Sequence, residues 1–200
     1  MGGKAGYHHG DLRRALLTAA REMLRDQGAS GLSLRALASR AGVSSAAPYR
    51  HFPDKDALLA ALMTEGFEEL AGHFATTATD PMRRLRHLGH AYLAFATAEP
   101  ELSRLMFDPG GPDRAAHPAL ARAEAATHAA FTGAIEEAMA AGMITGPSPE
   151  LIALTLRCVT QGLIAMVTSG QIPDHELTAT ADMIMDMLDT GLHPRPPHKP

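Results

Sequence analysis

Apolar positions recur along this chain at intervals of three and four residues, and no alternating run of five or more residues reads as a strand. Leu12, Leu16, Ala20 and Met23 share one face of a helix over residues 11–27, which Gly28 stops. Leu34, Leu37 and Ala38 fall at helical spacing after Ser33, a natural N-cap, and Ala41-Gly42-Val43 breaks the period before Ser44 and Ser45 offer a second cap. Pro53-Asp54-Lys55-Asp56 opens a long helix capped by Asp54, with Leu59, Leu62, Met63, Gly66, Phe67, Leu70 and Phe74 along its apolar stripe. Asp80-Pro81 starts a further helix through Leu85, Leu88, Tyr92, Phe95 and Ala96. Glu99-Pro100 ends it and starts a short one through Leu102, Leu105, Met106 and Phe107. An Ala-rich helix then runs from about His117 to Ala141, and two last helices span Ser148-Pro149 to Gly170 and Asp174 to Gly191. The pattern predicts an all-α fold.

Leu32 to Phe52 has the grammar of a helix-turn-helix. Gly42 suits the positive φ of the turn, small Ala38 lets two helices approach, and Val43 and Phe52 close the core beneath. Ser33, Arg35, Ser44, Ser45, Ala46, Tyr49, Arg50 and His51 remain on the outside, where they can lie against DNA. Pro48 would delete the first backbone hydrogen bond of a helix capped at Ser44, a conflict that capping at Ser45 removes.

Composition narrows the class. Two hundred residues, 46% of them hydrophobic, can bury a real core. A single cysteine, Cys158, rules out an internal disulfide framework and a multi-cysteine zinc site, in keeping with a cytoplasmic protein. The N-terminus lacks the apolar run of a signal peptide, and the most apolar stretch, Leu151 to Gly170, carries Arg157 and Gln161; it is expected to be a covered helix and no membrane span. Charge is uneven. Residues 1–55 hold nine Lys/Arg (Lys4, Arg13, Arg14, Arg21, Arg25, Arg35, Arg40, Arg50, Lys55) against Asp11, Glu22, Asp26 and Asp54, a net of +5 in a chain whose total is −4. The basic end is the helix-turn-helix end, which favours phosphate binding. An arm of Lys4, Tyr7, His8 and His9 could extend that contact, and the tail HPRPPHKP is expected to be disordered.

The stretch AGVSSAAPYRHFPDKDALL is similar to the DNA-binding signature of TetR-family transcriptional regulators, in which a Gly-Val turn precedes a short helix ending in Tyr-x-His-Phe. The resemblance implies a three-helix DNA-binding domain over 1–55, a helical effector-binding and dimerisation domain over 56–192 and a tail over 193–200. It places Arg35, Tyr49, His51 and Lys55 on phosphates, leaves Ser45 and Ala46 to face bases, and gives the long helix after the motif the task of passing movement to the DNA heads. It also implies a homodimer through helices 149–169 and 175–190, consistent with apolar residues on every side of the first of these, and a repressor that a small apolar or amphipathic molecule releases from a near-palindromic operator. YHHGDLRRALL and EPELSRLMF further resemble a subgroup with a Trp-His-Gly signature, where this chain reads Arg157 through Gly162 without tryptophan.

Candidate chemistry elsewhere is sparse. His87 and His90, with His73 and His128, are a conceivable metal group, but no carboxylate or thiolate shares a ligand-like spacing, so no metal and no cofactor are expected. Cys158, in an apolar helix, is expected to be buried and inert. No phosphate loop, nucleophile elbow or catalytic carboxylate pair occurs, and the chain is expected not to be an enzyme. A pocket for the effector is assigned to Tyr92, Phe95, Met106, Phe107, His128, Phe131, Gln161 and Met166, on helices expected to wall one interior. Gln161 is the most telling member, since an amide on so apolar a helix needs a partner. The alternative function is a helical small-molecule carrier or enzyme that retains a degenerate helix-turn-helix.

Overall fold

A computed structural model describes residues 9–192, and among these it contains helices and turns and no strand. The helices are α1 (His9–Gly31), α2 (Leu34–Arg40), α3 (Lys55–His73), α4 (Pro81–Ala98), α5 (Pro100–Met106), α6 (Pro118–Ala140), α7 (Pro149–Thr168) and α8 (Leu177–Leu192), with 3₁₀ turns at Pro48–Arg50 and Asp174–Glu176. The arm residues Lys4, Tyr7 and His8 and the tail lie outside the described residues, as does the side chain of His9.

The starts follow from side-chain caps. The Ser33 hydroxyl accepts from Ala36 N–H at 3.2 Å and the Ser148 hydroxyl from Leu151 N–H at 3.2 Å. Asp54 and Asp80 carboxylates accept from Ala57 and Arg83 N–H, each at 2.8 Å. Each cap satisfies one of the N–H groups that the first turn of a helix leaves without an internal acceptor. Gly28, at φ 67° and ψ 178°, breaks α1 so that its last three residues form a separate turn.

The chain divides into two compact units, one of Met1–Glu68 with Glu99–Glu124, the other of Glu69–Ala98 with Ala125–Pro200. In the first, Leu16, Leu17, Ala20, Met23 and Leu24 of α1 are buried along with Leu34, Leu37, Phe52, Leu58, Leu62 and Phe67. α5 belongs to this unit and lies hard against α3 at Gly66, where a Cβ would come within 2.6 Å of the Met106 sulfur. Phe107 stacks edge-on to Phe67 at 5.6 Å between centroids.

Charge also braces this unit. Glu99, 8% exposed, accepts from Arg25 Nε at 3.0 Å and pairs with Arg21 at 3.1 Å. Burial by itself would push the Glu99 carboxyl up, but the hydrogen bond from Arg25 and the charge of Arg21 outweigh it and hold the group below the usual carboxylate range.

The second unit packs Leu93 of α4 with Leu163 of α7 and Leu177 and Ala181 of α8. Polar links cross the same helices: Arg86 to Asp186, His90 Nε2 to Asp182 at 2.7 Å, and the Gln161 amide donating to the Tyr92 hydroxyl. The partner that Gln161 requires is thus supplied from within the chain.

α7 is not covered all round. Ile152, Ala153, Leu156, Thr160 and Leu163 are buried on one side, while Leu151, Leu154 and Met166 are exposed on the other. Cys158 lies on that exposed side, which corrects the expectation of a buried thiol; helical periodicity counts apolar neighbours without telling which of them the chain itself covers. α8 continues the open surface with Met183 at 64% and Met187 at 74% exposure. By length and composition α7 could cross a membrane, with a mean hydropathy of 1.7 in its most apolar window. Its buried side, however, is occupied by α4 and α8.

Candidate nucleic-acid interface

The interface is built on how α2 ends. The Gly42 N–H bonds to Ser39 C=O at 3.2 Å and the Val43 N–H to Ala38 C=O at 3.0 Å, with Gly42 at φ 67°. This is a Schellman stop, and only glycine enters it without a Cβ penalty. It turns the chain sharply towards Ser44, which brings the next segment back beside α2.

That segment is not the serine-capped helix that the sequence suggests. Neither Ser44 nor Ser45 caps it; the 3₁₀ turn begins at Ala47 with no side-chain cap. Ala47 N–H bonds to Ser44 C=O at 2.9 Å, Arg50 N–H to Ala47 C=O at 3.3 Å and His51 N–H to Pro48 C=O at 2.9 Å. Pro48 has no N–H to offer Ser44, and its ring would crowd that carbonyl in an α-helix, so the chain closes three-residue turns instead. Pro48 and Phe52 are buried, and Arg13 lies over the Phe52 ring at 5.4 Å from its centroid.

All the sequence-assigned reading residues come together on this surface. Ser33, Arg35, Ser44, Ser45, Ala46, Tyr49 and Arg50 are exposed, Tyr49 at 53%, while His51 and Lys55 are half-buried. Lys55 Nζ donates to Ser30 C=O at 3.3 Å, and the Ser33 hydroxyl is already an acceptor in its cap, leaving its own proton for an outside oxygen.

The positive charge is less available than the count of cations suggests. Arg21 and Arg25 are committed to Glu99. Arg40 donates to Asp26 at 3.0 Å and to Glu22 at 3.2 Å, and these hydrogen bonds to the two carboxylates raise its pKa further. Among the described residues no ion pair or hydrogen bond engages the guanidinium of Arg35 or Arg50. Those two are the cations that the local structure holds ready.

Sequence reasoning missed the Arg21–Arg25–Glu99 clamp. A signal existed: like charges four residues apart on one helix face repel each other and call for a counter-ion.

The residues assigned to an effector pocket are drawn from both compact units. Tyr92 and Phe95 are buried on α4, where Tyr92 meets Gln161. Phe131, half-buried on α6, packs against Phe74 at 6.1 Å. Met106 and Phe107 belong to the other compact unit, packed at Gly66 and Phe67. His128 and Met166 are exposed, His128 beside Thr132 and Met166 on the open side of α7. Among the described residues the histidines are not grouped as a metal ligand set: His87 Nε2 bonds to the backbone carbonyl of His73 at 3.0 Å while His90 pairs with Asp182.

Residues 16–62 match the family described as bacterial regulatory proteins, tetR family, and residues 85–190, more than half of the chain, match the tetracyclin repressor-like C-terminal domain. A solved protein of unknown function from Rhodococcus sp. RHA1 is 33% identical, with 96% of this chain and 100% of that one covered and a TM-score of 0.82. The regulator FadR from Bacillus subtilis, solved with stearoyl-CoA, shares the fold at 16% identity and a TM-score of 0.75, covering 90% of this chain and 99% of its own. The nucleoid occlusion factor SlmA of Vibrio campbellii is 33% identical over 106 residues, 51% of this chain and 54% of that protein, so the chain spans about half the length of the curated relatives it matches. By both its helix-turn-helix and its C-terminal domain, the chain belongs to the TetR family of bacterial regulatory proteins.

Proposed function

We propose that this chain is a homodimeric, cytoplasmic transcriptional repressor that leaves a near-palindromic operator when a small apolar or amphipathic molecule binds its C-terminal helices. The reading is carried by one observation: Arg35, Tyr49 and Arg50 stand exposed beside Ser44, Ser45 and Ala46 on a turn whose apolar members are buried. Arg35, Tyr49, His51 and Lys55 position the head on phosphates, and Ser45 and Ala46 meet base edges, Ala46 suiting a thymine methyl. The open sides of α7 and α8 pack against a second copy as a four-helix bundle, which sets two heads for half-sites about 34–36 Å apart. The domains of this function are a head over 1–55 and an effector and dimerisation region over 56–192.

The effector site centres on the part-buried Tyr92–Gln161 pair, which links α4 to α7, with Phe95 and Phe131 as apolar lining. The FadR relative, solved with an acyl-CoA, supports an amphipathic occupant. An effector that favours a spacing of heads unlike the operator's would couple to DNA by about 1–3 kcal/mol. A salt-dependent gel shift on duplexes from the chain's own upstream region tests the reading, with Arg35→Ala as control. Absence of binding at low salt would sink it. Native mass spectrometry of the purified protein reports dimer mass and any carried ligand together.

A further inference from the structure

Pro48 is buried, whereas Ser44, Ser45, Ala46, Tyr49 and Arg50 around it are exposed. It has no side-chain atom to offer a base, yet it decides the geometry of the residues that do. With no N–H at position 48, the hydrogen bond that would wind Ser44 to Pro48 into an α-turn cannot form, and Ser44 C=O takes the Ala47 N–H at 2.9 Å instead. The succeeding bonds, Arg50 to Ala47 and His51 to Pro48, keep the tighter turn, which ends where Phe52 N–H bonds at the wider α spacing to Pro48 C=O at 2.9 Å. A 3₁₀ residue advances about 20° further and rises about 0.5 Å more than an α residue. Over a three-residue turn that amounts to about 60° and about 1.5 Å, enough to carry a side chain from one base pair's edge to the next.

Resting on the DNA-binding reading above, we infer that Pro48 is a specificity-setting positioning residue: by holding Pro48–Arg50 in 3₁₀ geometry behind the tight Ser44–Ala47 turn it selects which bases Ser45 and Ala46 meet. The phosphate contacts of Arg35 and Lys55 are spared, because Arg35 sits on α2, which ends before the turn, and Lys55 opens α3, which begins after it. Base preference is therefore separable from the cationic phosphate contacts of Arg35 and Lys55, and Pro48 acts on the first.

The test is selection from a random duplex library by the full chain as wild type, Pro48→Ala and Pro48→Val, each restoring the N–H and the second keeping more of the buried volume. Circular dichroism and a thermal melt establish folding. Both variants should enrich a consensus different from the wild type's and bind the wild-type site at least about tenfold more weakly than their own, the size of one base mismatch. Affinity for unrelated duplex and its salt dependence should stay within about twofold, since phosphates dominate that binding. The same consensus from a folded variant would overturn the inference. So would a parallel loss of non-specific binding, or failure of both variants to fold, either of which makes Pro48 a plain core residue. If the wild type itself enriches nothing and binds no duplex at low salt, it is the DNA-binding reading that fails.

Discussion

The helix-turn-helix and the α7–α8 pair solve opposite surface problems. From Leu34 to Phe52 the apolar residues Leu34, Leu37, Ala38, Pro48 and Phe52 are buried and what faces out is hydroxyl, phenol and guanidinium. On α7 and α8 the exposed residues include the large apolar side chains Leu151, Leu154, Met166, Met183 and Met187. A surface that has finished its own packing and offers charge suits a polyanion; one that leaves thioethers and leucines open suits another protein surface. The largest expected effect follows from closing off the second. Leu154→Asp combined with Met187→Asp should convert a dimer to a monomer by native mass spectrometry and lower affinity for a two-half-site duplex at least about 100-fold, because the second head is no longer tethered. A wild type that is monomeric at micromolar concentration would break the contrast outright.

The first unit differs again in how it is braced, by a buried carboxylate instead of apolar contact alone. Glu99→Ala takes from Arg21 and Arg25 the buried carboxylate they share and should cost about 2–3 kcal/mol in urea unfolding at neutral pH. The sign with pH is fixed by the depressed Glu99 pKa: the contribution is present above the ordinary carboxylate value of 4.5 and is lost as pH falls through the lower value of the folded state. Wild type and variant should therefore converge in acid. A gap that persists there would make the loss one of packing and not of charge.

What was legible in the sequence is what is decided within a few residues. Ser33, Asp54, Asp80 and Ser148 all cap as read, since a cap needs only a side-chain oxygen and an N–H three residues on. Pro48 announced a conflict, and the local rule stopped there: it allowed α geometry to resume from Ser45, whereas Pro48–Arg50 is 3₁₀ with Pro48 buried. Arg25 and Glu99 meet across 74 residues, beyond any local rule. The open side of α7 was illegible for another reason: Leu151 and Leu156 are equally apolar, and only the fold tells which one the chain covers itself.

Counting cations also misled, and that sharpens the contrast at smaller scale. Arg35→Ala should reduce the slope of log affinity against log salt by about 1 and cost about 1 kcal/mol of binding, and Arg50→Ala should do the same. Arg40→Ala removes an equal charge that Glu22 and Asp26 already hold, and should leave the salt slope unchanged. Salt titrations of the three variants on one duplex compare them directly. Equal slopes for all three would mean that Arg40 leaves its acids to reach DNA.

The smallest effect isolates function from stability, because the two regions share one device. Ser33 and Ser148 each accept a single N–H at 3.2 Å at the start of a helix. Replacing either by alanine should cost about 1 kcal/mol of stability, read as a shift in urea midpoint at unchanged slope. Only Ser33 lies on the surface proposed to face DNA, where its hydroxyl proton remains available to a phosphate oxygen. Ser33→Ala should therefore weaken duplex binding as well, by about 0.5–1.5 kcal/mol, the net worth of one hydrogen bond. Ser148→Ala should leave binding to duplex untouched at temperatures well below its melting transition. If Ser148→Ala weakens binding by the same amount, the loss tracks stability at both sites and Ser33 is a cap and nothing more.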